Sequence, residues 1–528
     1  MMGRGSHTRR VSFASQRMRR ARVIGLVGAG IALALSSCSG SASSSSATNG
    51  ATRTTATPSS TQRATAVPAP SSGLGVPATR QPFTSDSRSV VAHDTETMAL
   101  AAQGGRLFVA TDQWMYSGPG AAGQILVKSA KGAAWTLFER TQSYRVQALD
   151  SFAIPADQGL GSGHSLLVTQ AIVNGRNEIQ WLLDGATSFS PADAFALPAT
   201  ADVRSFGAHE SGGVWAVYAG VAPSGILRGT WSPAAHTLVF DPKPELIAAP
   251  PGSPGLKTQK VTGFAECGGA EYVSINTRLF RRNDGTLPPG VTRWVLEYQE
   301  PPVGAFNSGL RGLSCVEHDG APSLLVSTEG SGNVYRLDHL PGGQVDTPTR
   351  LVPVLELSPI AAIRQMLRPE GTAVPASGKG SINYVISAYN NFESVSVGGV
   401  ERQLFGFEWG YAGGCPPSRK CGPTAFGGVT YDAAACFMIR TDHGSSQTYA
   451  PRCLSGHDFT LTARAGKPIR YAQAFVSIRT IKASPFGDGG VYFGGYDCDF
   501  YPADGTAWVA ASALSDLHPD AAPTAVNV

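Results

Sequence analysis

Residues 271–299 contain the stretch of sequence that decides the fold. EYVSIN at 271–276 is a strand-length run of apolar and β-branched residues, TRLFRR at 277–282 follows it directly, and RWVLEY at 293–298 forms a third run. Asn283-Asp-Gly lies between the last two runs, and residues of these types tolerate the positive φ angles that tight hairpins require. The stretch therefore predicts antiparallel strands that are connected by short turns.

Runs of the same kind recur along the chain at a nearly constant interval. They start at residues 106, 165, 214, 271, 323, 383, 436 and 491. A repeat of about 55 residues is typical of four-stranded antiparallel sheets that follow one another in the chain. The best helical pattern, at residues 360–367, covers only one or two turns.

The spacing of these runs and the chemistry of the hairpins resemble those of β-propellers, although the WD, kelch and Asp-box signatures are absent. We therefore predict an all-β fold, a single β-propeller of seven or eight four-stranded blades at residues 86–512. Two stacked β-sandwiches are the alternative architecture. The composition agrees with many short strands and turns, because the 528 residues include 62 Gly and 36 Pro and only 15% are charged.

A leader sequence precedes these repeats. Residues 23–35 form an apolar run that is too short to span a bilayer but fits a signal peptide. Leu35-Ser-Ser-Cys38 resembles a bacterial lipobox, and this resemblance implies a signal peptide at 1–37, a lipidated Cys38 and export to the outer face of the cell membrane. An ordinary cleaved signal peptide is the alternative, and translation could also start at Met18.

Low-complexity sequence follows the leader. Residues 38–85 consist mainly of Ser, Thr, Ala, Pro and Gly, so they have little apolar surface to bury and are predicted to form a disordered tether. A flexible chain of this length reaches roughly 40 Å. The Ala- and Pro-rich residues 513–528 are predicted to form a disordered tail.

The net charge of +4 originates in the leader. Seven arginines and no acidic residue lie in residues 1–37, which leaves 35 basic and 38 acidic residues in the remainder. A body without excess positive charge lacks the electrostatic footprint of a nucleic-acid-binding protein. We expect the membrane, through the lipid anchor, and an envelope glycan or protein as partners, and we expect a monomer.

Seven of the eight cysteines follow Cys38. Cys436 and Cys453 are symmetric about a predicted hairpin turn, which would bring them opposite each other within reach of a disulfide. We predict three disulfides: Cys267–Cys315, Cys415–Cys421 and Cys436–Cys453. Cys498 is left over. A zinc cluster is the alternative, but the sequence contains no C-x₂-C pair.

Acidic and amide side chains in several turns could bind calcium in a central channel, because Ca²⁺ accepts six to eight oxygen ligands from scattered loops. Residues 332–338, GNVYRLD, resemble strands of the six-bladed, lactonase-type calcium propellers. The candidate metal ligands are Glu266, Glu329 and Asp488. Ordinary hairpin turns explain the same residues.

Other clusters are candidates for ligand binding. Glu317-His318 pairs an acid with an imidazole ahead of a strand, and the segments around Asn391 and Tyr496 combine aromatic rings with amides or glycines. Each cluster has a structural alternative, a polar turn or a strand with one buried face. The candidate ligand-binding residues are Glu317, His318, Asn391 and Tyr496.

The sequence thus predicts a lipid-anchored envelope propeller that binds or scaffolds an extracellular glycan, peptide or protein. The alternative is a calcium-dependent hydrolase or lactonase, or a glycan-cleaving enzyme, with its site in the channel. A purely structural scaffold is a third hypothesis. No nucleophile elbow, zinc-protease helix or nucleotide-binding loop is present, so no catalytic residue is assigned.

Overall fold

Antiparallel strands make up almost all of the secondary structure. The computed structural model describes residues 75–80 and 94–517, with gaps at 114–121, 193–196, 200, 223–224, 247–259, 288–292, 302–308, 346, 368–372, 417–420, 425–428, 433–434, 445, 456–458, 463–467, 472–476 and 497–506. Two short strands come first, β1 (Gly75–Pro77) and β2 (Thr79–Arg80).

Five blades follow, and each is a meander of four consecutive antiparallel strands. Blade 1 comprises β3 (Glu96–Gln103), β4 (Arg106–Asp112), β5 (Gln124–Lys128) and β6 (Thr136–Arg140). Blade 2 comprises β7 (Leu149–Ala153), β8 (Ser165–Val173), β9 (Arg176–Leu183) and β10 (Ser190–Pro191). Blade 3 comprises β11 (Asp202–Ser211), β12 (Val214–Ala222), β13 (Gly225–Ser232) and β14 (Thr237–Phe240). Blade 4 comprises β15 (Val261–Cys267), β16 (Ala270–Ile275), β17 (Arg278–Arg282) and β18 (Trp294–Gln299). Blade 5 comprises β19 (Gly309–His318), β20 (Ala321–Gly330), β21 (Val334–Leu337) and β22 (Pro353–Leu357).

The chain after blade 5 is less regular. It begins with the helix α1 (Pro359–Leu367). The next strands are β23 (Ile382–Ser387), β24 (Glu393–Val397), β25 (Val400–Ala412), β26 (Cys421–Thr424), β27 (Val429–Asp432), β28 (Cys436–Asp442) and β29 (Gln447–Ser455). The last are β30 (Phe459–Thr462), β31 (Pro468–Tyr471), β32 (Ser477–Ala483), β33 (Gly490–Tyr496) and β34 (Trp508–Ala513). The long strand β25 pairs with β23, β24, β27 and β28, and β33 lies between β32 and β34.

The propeller fold is confirmed, but the prediction of seven or eight four-stranded blades is wrong. In the part of the chain that the structure describes, five blades have four consecutive strands. The sequence repeat fails after blade 5 because the runs at 383 and 436 are β23 and β28, which both pair with β25 and do not mark separate units. The run at 491 is β33, which pairs with β34. The other partner of β34 is β2, from the beginning of the described chain.

The runs that identified the blades are their second strands. All six residues of β16 are buried, and β4 buries six of its seven. A second strand is buried on both faces because neighbouring blades cover it, so its sequence is a continuous apolar run. The first strand of each blade carries polar residues, such as Asp150 on β7 and Thr262 on β15.

Hydrogen bonds between first strands close the ring. Thr262 Oγ1 donates to the carbonyl oxygen of Leu310 at 2.8 Å and so links β15 to β19. The amide N of Leu100 donates to Thr480 Oγ1 at 3.1 Å and so links β3 to β32. Because β3 begins the first blade and β32 belongs to the last strand group, the latter bond joins the two ends of the ring.

Two of the predicted disulfides are present. Cys267–Cys315 connects β15 with β19 in neighbouring blades, and Cys436–Cys453 connects directly paired positions of β28 and β29. Cys415 is also disulfide-bonded. Its pairing with Cys421 stays a prediction, because the Cys421 side chain lies outside the described part of the chain. Cys38 and Cys498 lie outside the described residues as well.

The described strands extend past both predicted ends of the propeller. β1 and β2 fall inside the predicted tether, where Val76 is buried in the core beside β29 and β34. A 3₁₀ turn at Leu514–Leu517 follows β34, and Leu517 is buried in the same core. Within the described ranges, no helix has the length and apolar character that are needed to span a membrane.

Candidate functional site

The first strands of the blades surround a central cavity. Its cavity volume is about 80 Å³, and residues of β3, β7, β11, β15, β19 and β32 line it together with the loop between β23 and β24. Its polar lining residues are Gln147, Asp150, Arg204, Ser205, Asn390, Asn391 and Thr480. Convergence of several first strands on one cavity is the usual position of a ligand site in a ring-shaped fold.

Gln147 and Asp202 form a polar pair on one side of the cavity. Gln147 Nε2 donates to both carboxylate oxygens of Asp202, at 2.7 and 2.6 Å, and Arg204 Nε donates to the same carboxylate at 3.2 Å. Gln147 Oε1 is buried and has no hydrogen-bond partner among the described residues. An unpaired buried acceptor is costly, so this atom favours a ligand that donates a hydrogen bond.

Asp150 is the titratable group of the cavity. Its Oδ2 accepts a hydrogen bond from the amide N of Phe206 at 3.2 Å. Burial raises the pKa of Asp150 to about 6, although the Phe206 hydrogen bond and the charge of Lys482 act in the opposite direction. A carboxyl group with this pKa exchanges its proton near neutral pH and can therefore act as a hydrogen-bond donor or as an acid.

A smaller cavity adjoins the first and shares Gln147, Arg204 and Asn390 with it. Tyr389 lies in its wall, with the guanidinium carbons of Arg479 and Arg311 at 3.7 and 4.4 Å from the ring centroid. These distances are typical of cation–π contacts. The contacts fix the aromatic ring within the channel.

Carboxylates neutralise these channel arginines. Arg479 Nε donates to Glu96 Oε1 at 2.8 Å, and Arg311 forms an ion pair with Glu329. Tyr384 donates its hydroxyl to the other Glu329 oxygen at 2.5 Å. The described channel residues thus combine paired charges with amides, hydroxyls and an aromatic ring, and this mixture suits a polar, uncharged ligand.

The structure separates the predicted ligand-binding residues. Asn391 lines the cavity. Glu317 is exposed near the end of β19, and His318 Nδ1 lies 2.9 Å from Gln447 Nε2, away from the cavity lining. Tyr496 pairs through its backbone with Glu96, and its side chain lies outside the described residues.

The predicted metal ligands have different partners from one another. Glu266 lies near His209, Glu329 pairs with Arg311, and Asp488 forms a salt bridge with Lys131 at 3.4 Å. The structure therefore does not assemble these three as one ligand set, because Glu266 lies on β15, Glu329 lies on β20 and Asp488 lies just ahead of β33. Calcium itself stays a prediction.

Gln147, Asp150 and Arg204 line the cavity but were not predicted from the sequence. These residues lie on or beside first strands, whereas the apolar runs that were recognised are second strands. Their place in the sequence could have identified them. In a propeller, the strand that precedes each apolar run is the first strand of its blade, and first strands form the channel wall.

Comparisons with known proteins leave the function open. The chain matches no family model and no curated protein. Among solved structures it is similar to the fucose-specific lectin from Aleuria aurantia, with 10% identity, a TM-score of 0.31, and coverage of 69% of this chain and 98% of the lectin. It is also similar to the Penicillium chrysogenum α-L-arabinanase complexed with arabinobiose, with 11% identity, a TM-score of 0.34, and coverage of 68% of this chain and 96% of the arabinanase. A third similar structure is the Niastella koreensis GH74 enzyme, with 13% identity, a TM-score of 0.32, and coverage of 79% of this chain and 65% of the enzyme. Likeness at this level carries no argument about ligand or activity.

Proposed function

We propose that this protein is an exported, lipid-anchored binding protein whose central channel takes an extracellular glycan. The observation that carries the proposal is the unpartnered Gln147 Oε1 in a cavity that also presents Asp150, Arg204 and Asn391. Sugar hydroxyls both donate and accept hydrogen bonds, so they can satisfy amide, carboxyl and guanidinium groups together.

The anchor and the tether complete this proposal. A lipidated Cys38 would hold the protein at the outer face of the membrane, and the low-complexity segment behind it would carry the propeller toward ligands in the envelope. A Cys38→Ala variant is expected to leave the membrane fraction, and a Ser39→Ala variant is the control that should remain there. Continued membrane partitioning of Cys38→Ala would refute the anchor.

The binding proposal is tested with the purified protein on a glycan array, followed by titration calorimetry with the best ligand. Gln147→Ala is expected to weaken binding about tenfold, since it removes the unpaired acceptor Oε1 from the cavity. Glu317→Gln, which lies outside the cavity, is the control and should bind as the unmodified protein does. Absence of glycan binding, or equal affinity of the Gln147→Ala variant, would reject the proposal.

A glycan-cleaving enzyme is the second candidate, and Asp150 favours it. A carboxyl group whose pKa is about 6 can protonate a leaving oxygen near neutral pH. The same glycans are therefore incubated with the protein, and products are followed by mass spectrometry. Product formation that disappears in Asp150→Asn while binding persists would favour the enzyme, and binding without product would favour the binding protein.

A further inference from the structure

A second cluster of polar side chains lies between blades 3 and 4, outside the channel cavity. It contains His209 on β11, Glu266 on β15 and Glu271 on β16. One potential ligand atom from each residue lies within 4.8 Å of the other two. Because His209 follows the cavity residue Phe206 by three positions on β11, the cluster is about 10 Å further along that strand.

The two glutamates face each other across a strand pair. Glu266 and Glu271 are direct partners in the β15–β16 register. Like charges in directly opposed positions destabilise a sheet, so this arrangement requires a compensating positive charge. His209 approaches from the neighbouring blade, with its Nδ1 atom 3.6 Å from Glu266 Oε1.

The buried members of the cluster have unpaired ligand atoms. Glu271 is only 1% exposed, yet neither of its carboxylate oxygens has a hydrogen-bond partner among the described residues. His209 Nδ1 is likewise buried without a hydrogen-bond partner there.

The other ring nitrogen of His209 is already oriented by a carboxylate. His209 Nε2 lies 2.8 Å from Asp284 Oδ2, and Asp284 in turn pairs with Arg282. Because Nε2 contacts Asp284, Nδ1 is the ring nitrogen that faces Glu266 and is placed to bind a metal ion. A carboxylate behind a histidine in this way is the usual outer shell of a metal-ligating imidazole.

Gly207 leaves room for the buried glutamate. A Cβ atom at this position would overlap Glu271 Oε1 and the side chain of Phe264. A glycine in the neighbouring strand is therefore needed for the Glu271 carboxylate to reach His209.

We propose that His209, Glu266 and Glu271 bind a divalent transition-metal ion of the zinc type. One imidazole and two carboxylates provide three protein ligands for Zn²⁺ and leave a fourth position for water. Ligand atoms around tetrahedral zinc are about 3.4 Å apart, so the side chains must close in slightly. Glu266 can supply most of this movement, because its side chain is 52% exposed. The ion would join blades 3 and 4 and is independent of the proposed glycan.

The test uses the full-length protein, freed of metal with a chelator and titrated with ZnSO₄ in calorimetry. One Zn²⁺ per chain is expected. Glu271→Gln, which keeps the shape of the side chain, should weaken zinc binding by more than about 100-fold. Asp284→Asn, which loses the carboxylate that orients His209, should weaken zinc binding by about 10- to 100-fold. Glu210→Gln changes an exposed residue next to His209 and is the matched control with unchanged affinity.

A second variant and a second readout keep the test decisive if Glu271→Gln does not fold. Glu266→Gln alters an exposed side chain, so it should fold normally and still lose zinc affinity. Zinc should also raise the melting temperature of the unmodified protein and not that of Glu266→Gln, because the ion links two blades. No zinc binding, or the same affinity in Glu266→Gln and Glu210→Gln, would overturn the proposal.

Discussion

Asp94 should make the stability of the propeller fall as the pH rises. The residue lies just ahead of β3, is fully buried, and accepts hydrogen bonds from Thr111 Oγ1 and from Gln113 Nε2. Burial raises the pKa of Asp94 from 3.8 to about 7, and the hydrogen bonds and the charge of Arg140 offset only part of that effect.

The sign of the effect follows from the raised pKa of the folded state. Below about pH 4, Asp94 is protonated in both states and contributes no pH dependence. Between about pH 4 and pH 7 the unfolded chain releases its proton while the folded protein retains it, so the free energy of unfolding decreases by up to about 1.4 kcal/mol per pH unit. Above about pH 7, Asp94 is ionised in both states, and the free energy of unfolding is lower by a constant amount of about 4 kcal/mol.

Asp94→Asn removes this cost, because the amide cannot ionise and can still hydrogen-bond Thr111 and Gln113. Urea unfolding of the variant and the unmodified protein is measured from about pH 4.5 to pH 8. The variant's advantage in free energy of unfolding is expected to grow by about 3 kcal/mol over this range. Asp157→Asn, an exposed position, is the control and should leave the pH profile unchanged. Parallel pH profiles for Asp94→Asn and the unmodified protein would refute the reasoning.

Two further predictions concern how the ring is held together. Gly406→Ala should lower the free energy of unfolding by about 1–3 kcal/mol, because the new methyl group overlaps the backbone of Ile478. Gly132→Ala is the control, since its methyl group lies in open space and should change the free energy of unfolding by less than about 0.5 kcal/mol. Equal urea midpoints for the two variants would contradict this. Replacing Cys267 and Cys315 by Ser together should cost about 4 kcal/mol, since their bond closes a loop with a sequence separation of 48 residues. An unchanged midpoint, or labelling of both thiols in the unreduced protein, would contradict that prediction.

The sequence was most informative where strands are buried on both faces. EYVSIN at 271–276 became β16, and the helical pattern at 360–367 became α1, because continuous apolar runs and helical spacing are local signals. The disulfide between Cys436 and Cys453 was predictable for a similar reason, since the symmetry of a single hairpin specifies its cross-strand pairs.

The channel and the blade count depend on contacts that are distant in sequence. Gln147 and Asp202 are 55 residues apart, and no local pattern connects them. β25 pairs with strands on several sides, whereas the sequence repeat implied separate blades at 383 and 436. Asn391 was identified from its aromatic neighbours, yet it reaches the cavity because the loop between β23 and β24 enters the channel.

The strand β2 has a consequence for the order of events during synthesis. Thr79 pairs with Ala511, and Ser512 Oγ donates to the carbonyl oxygen of Pro77, 435 residues earlier in the chain. A growing polypeptide therefore carries this early segment without its partner until β34 has been made. Contacts of such high sequence separation form slowly and late, so the pairing of β2 is expected to wait until β34 has been made.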